Sequence, residues 1–221
     1  MNLTEAMKER HSVRQYTDKP LEQSVVLALQ EEIKACNQES GLHIQLVMNE
    51  PKAFDGFMAH YGKFSGVTNY IAMIGKKGPE LDEKCGYYGE RLVLKAQQLG
   101  LNTCWVAMTY SKVKTAYTVN SGEKLCIVIS LGYGKNEGVP HKSKPVEAVT
   151  KADGSLPGWF RSGAEAALLA PTAMNQQKFV FTLNGNKVSA KAGLGFYSKI
   201  DLGIAKYHFE AGAGKENFTW A

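Results

Sequence analysis

The sequence predicts an α+β fold in which helices and strands are mixed along the chain around a buried central strand. Two patterns carry this expectation. Residues 125–131 (LCIVISL) are almost continuously apolar, as in a strand covered on both faces. Residues 82–99 form the longest helical pattern, with Leu92, Leu94, Ala96 and Leu99 as apolar positions and Gly100 placed as a C-cap. The composition agrees, since 221 residues with 44% hydrophobic and 21% charged positions can bury a sizeable core.

The other elements follow in order. Residues 21–36, introduced by Pro20, read as an amphipathic helix with Val25, Val26, Leu29, Ile33 and Cys36 on one face. Residues 43–48 alternate as a strand, 51–60 read as a short helix, and 70–74 as a strand ending in a Gly-Lys-Lys-Gly turn. A strand is expected over 103–108, and a Gly, Lys, Pro and Ser-rich surface connection from 132 to about 157. Beyond it lie a helix over 160–169, strands at 179–183 and 187–192, and a last helix over 200–211. The expected division is a first half over 1–145 and a shorter second half over 146–221 packed on it.

Charge and cysteine usage narrow the function classes. Twenty-six Lys and Arg against 21 Asp and Glu give +5, a mild excess that suits an anionic small molecule. The basic residues are scattered without an aromatic-interleaved stripe, so nucleic acid is not the expected partner. No apolar run approaches the roughly 20 residues of a membrane span, and no secretory leader pattern opens the sequence, so a cytoplasmic setting is expected. Cys36, Cys85, Cys104 and Cys126 are spread singly, which reads as reduced core thiols.

Several clusters can carry chemistry. In R-H-S-V-R at 10–14, the Arg10 and Arg14 guanidiniums and the Ser12 hydroxyl can grip a phosphate, although a solvated basic turn would look the same. Lys142 and Lys144 form a second cationic cluster in H-K-S-K-P. In A-P-T-A-M-N-Q-Q-K-F at 170–179, Pro171 stops a helix, and Thr172 and Asn175 present polar groups before a strand. Asp201 and His208 on the last helix read as a capping acid and a hydrogen-bonded packing histidine. No other His or Cys has ligand-like spacing to them, so no metal site is expected.

Together, R-H-S-V-R at 10–14, G-L-N-T-C-W at 100–105, G-Y-G at 132–134, K-S-K at 142–144 and the A-P-T loop resemble the FMN-dependent nitroreductase family. The basic segment and the Ala-Pro loop lie about 160 residues apart, whereas ordinary members have them close together. The chain therefore resembles the shortened branch, the TM nitroreductase type, in which two half-domains in one polypeptide imitate the usual dimer. The resemblance implies the nitroreductase-like (NADH oxidase/flavin reductase) fold, with a mostly antiparallel sheet flanked by helices.

It further implies one FMN per chain in a functional monomer, with both walls of the flavin site in one polypeptide. Arg10, His11, Ser12 and Arg14, with Lys142 and Lys144, would hold the phosphate and ribityl chain. Ala107 and Met108 would pass N5 with a backbone N–H, and Pro171, Thr172 and Ala173 would approach the ring. Asn102 and Lys178 depart from the family pattern, standing where Gly and Trp are usual. NADH or NADPH would be the transient donor, and a nitroaromatic, a quinone or a similar electron-poor molecule the acceptor. No side chain is named as catalytic, because the flavin supplies the hard chemistry. The alternatives are a nitroreductase-fold enzyme of another redox specificity, such as flavin fragmentation or dehalogenation, and a protein that stores or senses FMN without turnover.

Overall fold

The computed structural model describes residues 1–221. In chain order its elements are α1 (Leu3–Glu9), α2 (Gln23–Ser40), β1 (Gln45–Val47), α3 (Phe57–Tyr61), β2 (Asn69–Lys76), α4 (Leu81–Gln98) and β3 (Asn102–Val106). They continue with β4 (Glu123–Gly132), β5 (Thr150–Ala152), α5 (Gly158–Ala167), β6 (Phe179–Asn184), β7 (Lys187–Ala192), α6 (Ser198–Ala213) and β8 (Thr219–Trp220). These elements form two compact units, each built from separate stretches of chain. The first comprises Arg10–Leu81 and Leu92–Val139, and the second Met1–Glu9, Asp82–Arg91 and Pro140–Ala221.

The first unit holds an antiparallel sheet in the order β1-β2-β4-β3, which makes β4 central. Tyr70, Ala72, Ile74 and Val128 share a core with Val13, Tyr16, Phe54, Phe64, Cys104 and Val106. The intervening residues Ile71, Met73, Ile127 and Ile129 are equally buried, which is why 125–131 lacks polar alternation. Pairing passes from Met73↔Ile127 to Ile74↔Leu125, so Cys126 is the extra residue of a bulge and turns partly outward. All four cysteines are thiols.

Local chemistry explains most differences from the expected boundaries. Helix α2 runs on to Ser40 because Gly41, at φ 70°, closes it with an N–H bond of 2.9 Å to Asn37 O. The expected helix over 51–60 divides into a 3-10 turn, Lys52–Phe54, and α3. The strand expected over 103–108 stops at Val106, where pairing with Val128 ends. Soon after, Ser111 N–H bonds Ala53 O at 2.7 Å, so the chain has left the sheet and Ala107 and Met108 lie in a bend. The connection after 132 is also more structured than expected, since it contains the 3-10 turn Val146–Ala148 and the short strand β5.

The second unit has its own sheet, β5-β6-β7-β8, with the antiparallel β6–β7 hairpin flanked by two short parallel edge strands. Its core is aromatic. Phe181 stacks on Phe209 with centroids 4.4 Å apart, and Phe160, Phe218 and Trp220 surround Phe209 at 5.4 to 5.7 Å. Helix α6 also packs closely on the first half of α4 through two glycines. A Cβ on Gly86 would collide with Ile200 O, and one on Gly203 would collide with Glu83 O and lie 2.7 Å from Tyr87 N.

Because the obstructing atoms at Gly203 are backbone, they cannot turn aside as a side chain would. Gly203→Ala is therefore expected to lose about 1–3 kcal/mol by overpacking, more than the roughly 1 kcal/mol that alanine gains in a helix. Urea denaturation checks this. An unchanged or higher midpoint would contradict the close helix crossing.

Candidate functional site

In the first unit the basic segment 10–14 is part of an extended strap laid along the outer edge of β3. Val13 N–H bonds Thr103 O at 3.0 Å, with Ser12 and Thr103 forming a parallel bridge. Farther along, Arg14 O accepts from Ser65 N–H, Tyr16 N–H bonds Ser65 O, and Thr17 N–H bonds Tyr133 O. Two side chains drive the strap inward: Val13 and Tyr16 are 1% and 2% exposed. The Tyr16 hydroxyl donates to Val13 O at 2.7 Å and lies 2.9 Å from Ser130 Oγ, and its burial holds the phenol well above its usual pKa.

This anchoring sets the basic side chains. Arg10 is buried, His11 and Ser12 are half-buried, and Arg14 is exposed. Burial pushes the Cys104 thiol pKa up, while Arg14, a hydrogen bond with Ser12 and Arg10 pull it down. The loop after β4 closes on the same strap. Gly138 has φ 71°, and a Cβ there would sit 2.8 Å from His11 Cβ and 3.1 Å from Ser12 O. Asn102 secures the start of that loop by accepting Gly134 N–H at 2.9 Å. Ala107 and Met108 follow the end of β3, with the Met108 side chain exposed.

In the second unit the structure brings Lys142 and Lys144 together with the 170–179 loop. Lys142 O accepts from Asn175 Nδ2 and Gln177 Nε2, both at 2.9 Å. The Lys144 ammonium donates to Gln176 O at 2.8 Å and Gln177 O at 3.1 Å, which engages two of its three hydrogens. The Lys142 side chain is exposed. Pro171, Thr172 and Ala173 are half-buried, and Thr172 Oγ1 accepts from Gln177 N–H at 3.1 Å.

The loop backbone is unusual. Met174, Asn175 and Gln177 are left-handed at φ 50°, 53° and 44°. For non-glycine residues this costs about 1 kcal/mol or more each, and it persists only where the surroundings fix it. Gln177, 2% exposed, is one such fixture: its Oε1 accepts Lys144 N–H at 2.9 Å while Nε2 reaches Lys142 O and Asn175 Oδ1.

Asp201 is the other. It is 3% exposed and does not cap its own helix; Oδ1 accepts Ala173 N–H at 3.0 Å and Oδ2 accepts Gln176 Nε2–H at 2.6 Å. Burial raises its pKa from 3.8 to about 6, opposed by the Gln176 and Ala173 hydrogen bonds. His208 is fully buried, with Nδ1 3.1 Å from Ala166 O and Nε2 2.8 Å from Glu90 Oε1. The carbonyl can only accept, so Nδ1 is the donor to Ala166 O. The pair packs α4, α5 and α6 together.

Sequence reasoning did not find Gln176, Gln177 or the staple made by Asn102. The nearest signal was Asn175 followed by two glutamines directly after a Pro-containing turn, a composition that also suits any polar loop.

The Asp201 shift fixes a pH dependence. The folded chain binds the proton more tightly than the unfolded chain, so this group's stabilising contribution is complete below pH 3.8 and is lost as pH rises through about 6. Relative to Asp201→Asn, wild type should lose roughly 3 kcal/mol across that window, as measured by urea unfolding at stepped pH. A constant difference between the two proteins would contradict the buried carboxylate.

The comparisons agree with this architecture. Residues 2–213 match the family model described as "Putative TM nitroreductase". Among solved structures, a putative nitroreductase from Thermotoga maritima MSB8 aligns at TM-score 0.66 and 22% identity, covering 98% of this chain and 85% of that one. A putative NADH dehydrogenase/NAD(P)H nitroreductase from Parabacteroides distasonis aligns at TM-score 0.53 and 22% identity, covering 67% and 97%. A putative nitroreductase from Desulfovibrio desulfuricans, in complex with FMN, aligns at TM-score 0.50 and 15% identity, covering 67% and 95%. No curated protein matches. With the family model spanning nearly the whole chain and the solved structures sharing its fold, the chain belongs to the family described as putative TM nitroreductases.

Proposed function

We propose that this protein is an FMN-dependent oxidoreductase that takes hydride from NADH or NADPH and passes electrons to a small electron-poor acceptor, such as a nitroaromatic or a quinone. The observation that carries this reading is the strap on the β3 edge. Its backbone is pinned by Thr103 and Ser65, and it carries Arg10, Ser12 and Arg14 within five residues beside β3. Such a group of donors suits a phosphate monoester. The close approach at Gly138 fits a cradle too, since any side chain there would push the strap out of place.

Within this reading Arg14 and Ser12 donate to the phosphate, while Arg10, buried at the start of the strap, adds fixed positive charge behind it. His11 borders the ribityl chain. In the second unit Lys142 supplies an exposed cation, and Lys144 reinforces the loop that presents Pro171, Thr172 and Ala173 to the ring. A backbone N–H at 107–108 serves N5. FMN, when bound, supplies the two-electron chemistry, so these residues need only bind, orient and stabilise charge. The reading includes one FMN per chain, a monomeric enzyme and a cytoplasmic setting. No helix is long and apolar enough to cross a membrane.

The test begins with the visible spectrum of the purified or FMN-reconstituted protein and anaerobic mixing with NADH and NADPH. A flavin band that bleaches is expected. Arg14→Ala, at an exposed position, should weaken FMN binding about ten-fold, and Arg10→Ala with Arg14→Ala more, with circular dichroism unchanged. Undiminished FMN retention in the double variant would remove the phosphate assignment. Flavin content against mass in solution should give one FMN per chain, and one FMN shared by two chains would exclude the monomer.

A further inference from the structure

The 171–177 loop adopts a conformation that its own residues disfavour, with Met174, Asn175 and Gln177 left-handed and the Met174 side chain 82% exposed. Neither glycine nor apolar burial of Met174 explains why the chain stays there. The bonds that hold it lead to Asp201, whose two carboxylate oxygens receive the Ala173 N–H and one Gln176 Nε2 hydrogen. The second Nε2 hydrogen of Gln176 goes to Phe196 O at 2.7 Å. One carboxylate on α6 therefore ties together the 171–177 loop and the 193–197 turn, using both hydrogens of the Gln176 amide.

Both oxygens of the Asp201 carboxylate act as acceptors in this arrangement. An amide at 201 has only one acceptor atom, so with its oxygen on Ala173 N–H it turns a donor toward Gln176, which must then rotate to offer Oε1. Rotation also places Oε1 against Phe196 O, two acceptors face to face, so the tie to the 193–197 turn is lost. An ionised group is at the same time the costly choice for this pocket, because burial disfavours its charge. A group selected for packing alone would be served better by an uncharged side chain.

We propose that Asp201 is a positioning residue that holds the 171–177 loop in its flavin-binding conformation through the Ala173 N–H and the Gln176 amide. This rests on the FMN reading above and adds to it a residue that does not touch the cofactor. Burial and the bonds to Gln176 and Ala173 are the causes of the Asp201 shift, so the groups that act on this carboxyl are the ones it holds.

The test uses the full chain, wild type and two variants, Asp201→Asn and Gln176→Ala. FMN affinity is measured at pH 7.5, and amide hydrogen exchange of residues 171–177 is followed in the apo-protein. Both variants should bind FMN about ten-fold more weakly and exchange these amides about ten-fold faster than wild type, while the melting temperature of Asp201→Asn stays at or above that of wild type.

Equal affinity and equal exchange in Asp201→Asn would overturn the proposal. So would faster exchange with unchanged affinity, because the loop would then not serve the cofactor. A fall in melting temperature that matches the loss of affinity would assign Asp201 a general structural role instead. If wild type bound no FMN, the functional reading would fail and take the flavin-positioning role with it; the exchange data would then show separately whether the latch exists.

Discussion

Backbone N–H and C=O groups that leave regular structure still need partners, and this requirement shapes both segments on which the functional reading depends. The strap at 10–17 solves it by borrowing the outer edge of β3, the Ser65 turn and the loop after β4. A bare β3 edge would present unpaired groups, so the strap completes the sheet as well as displaying Arg10, Ser12 and Arg14. The 171–177 loop has no sheet edge to borrow. It uses side chains instead, with Gln177, Lys144, Thr172 and Asp201 each engaging main-chain groups.

These solutions differ in rigidity and cost. The strap is secured by apolar burial of Val13 and Tyr16, which costs little beyond ordering the chain. The loop is secured by polar side chains removed from water, a more expensive device that holds only while every partner is present. The same unit also buries His208 against Glu90, yet that pair serves packing because both its partners lie within helices. Asp201 differs in that it reaches out of its helix to a loop.

Compactness of the second unit has a separate origin. Gly86 and Gly203 let α4 and α6 approach until backbone meets backbone, and Gly163 leaves room on α5 for the Phe209 ring and the Ala213 methyl group. The aromatic cluster around Phe209 then fills the space between helices and sheet. The position of Asp201 on α6 is thus set by a helix that cannot shift without collisions.

The sequence by itself determined the class of fold, a helix over 82–99, a central strand over 125–131, strands at 179–183 and 187–192 and the family, because these rest on local periodicity, turn residues and short motifs. It also located the basic segment and the Ala-Pro loop. The tertiary structure alone decided that β3 ends at Val106, that Asn102 staples Gly134, and that Gln176, Gln177 and Asp201 hold the loop. Those outcomes depend on which donor faces which acceptor between residues up to 33 positions apart. Polar side chains follow no period that would announce such pairings, and their orientation is fixed only once the surrounding helices and strands have packed.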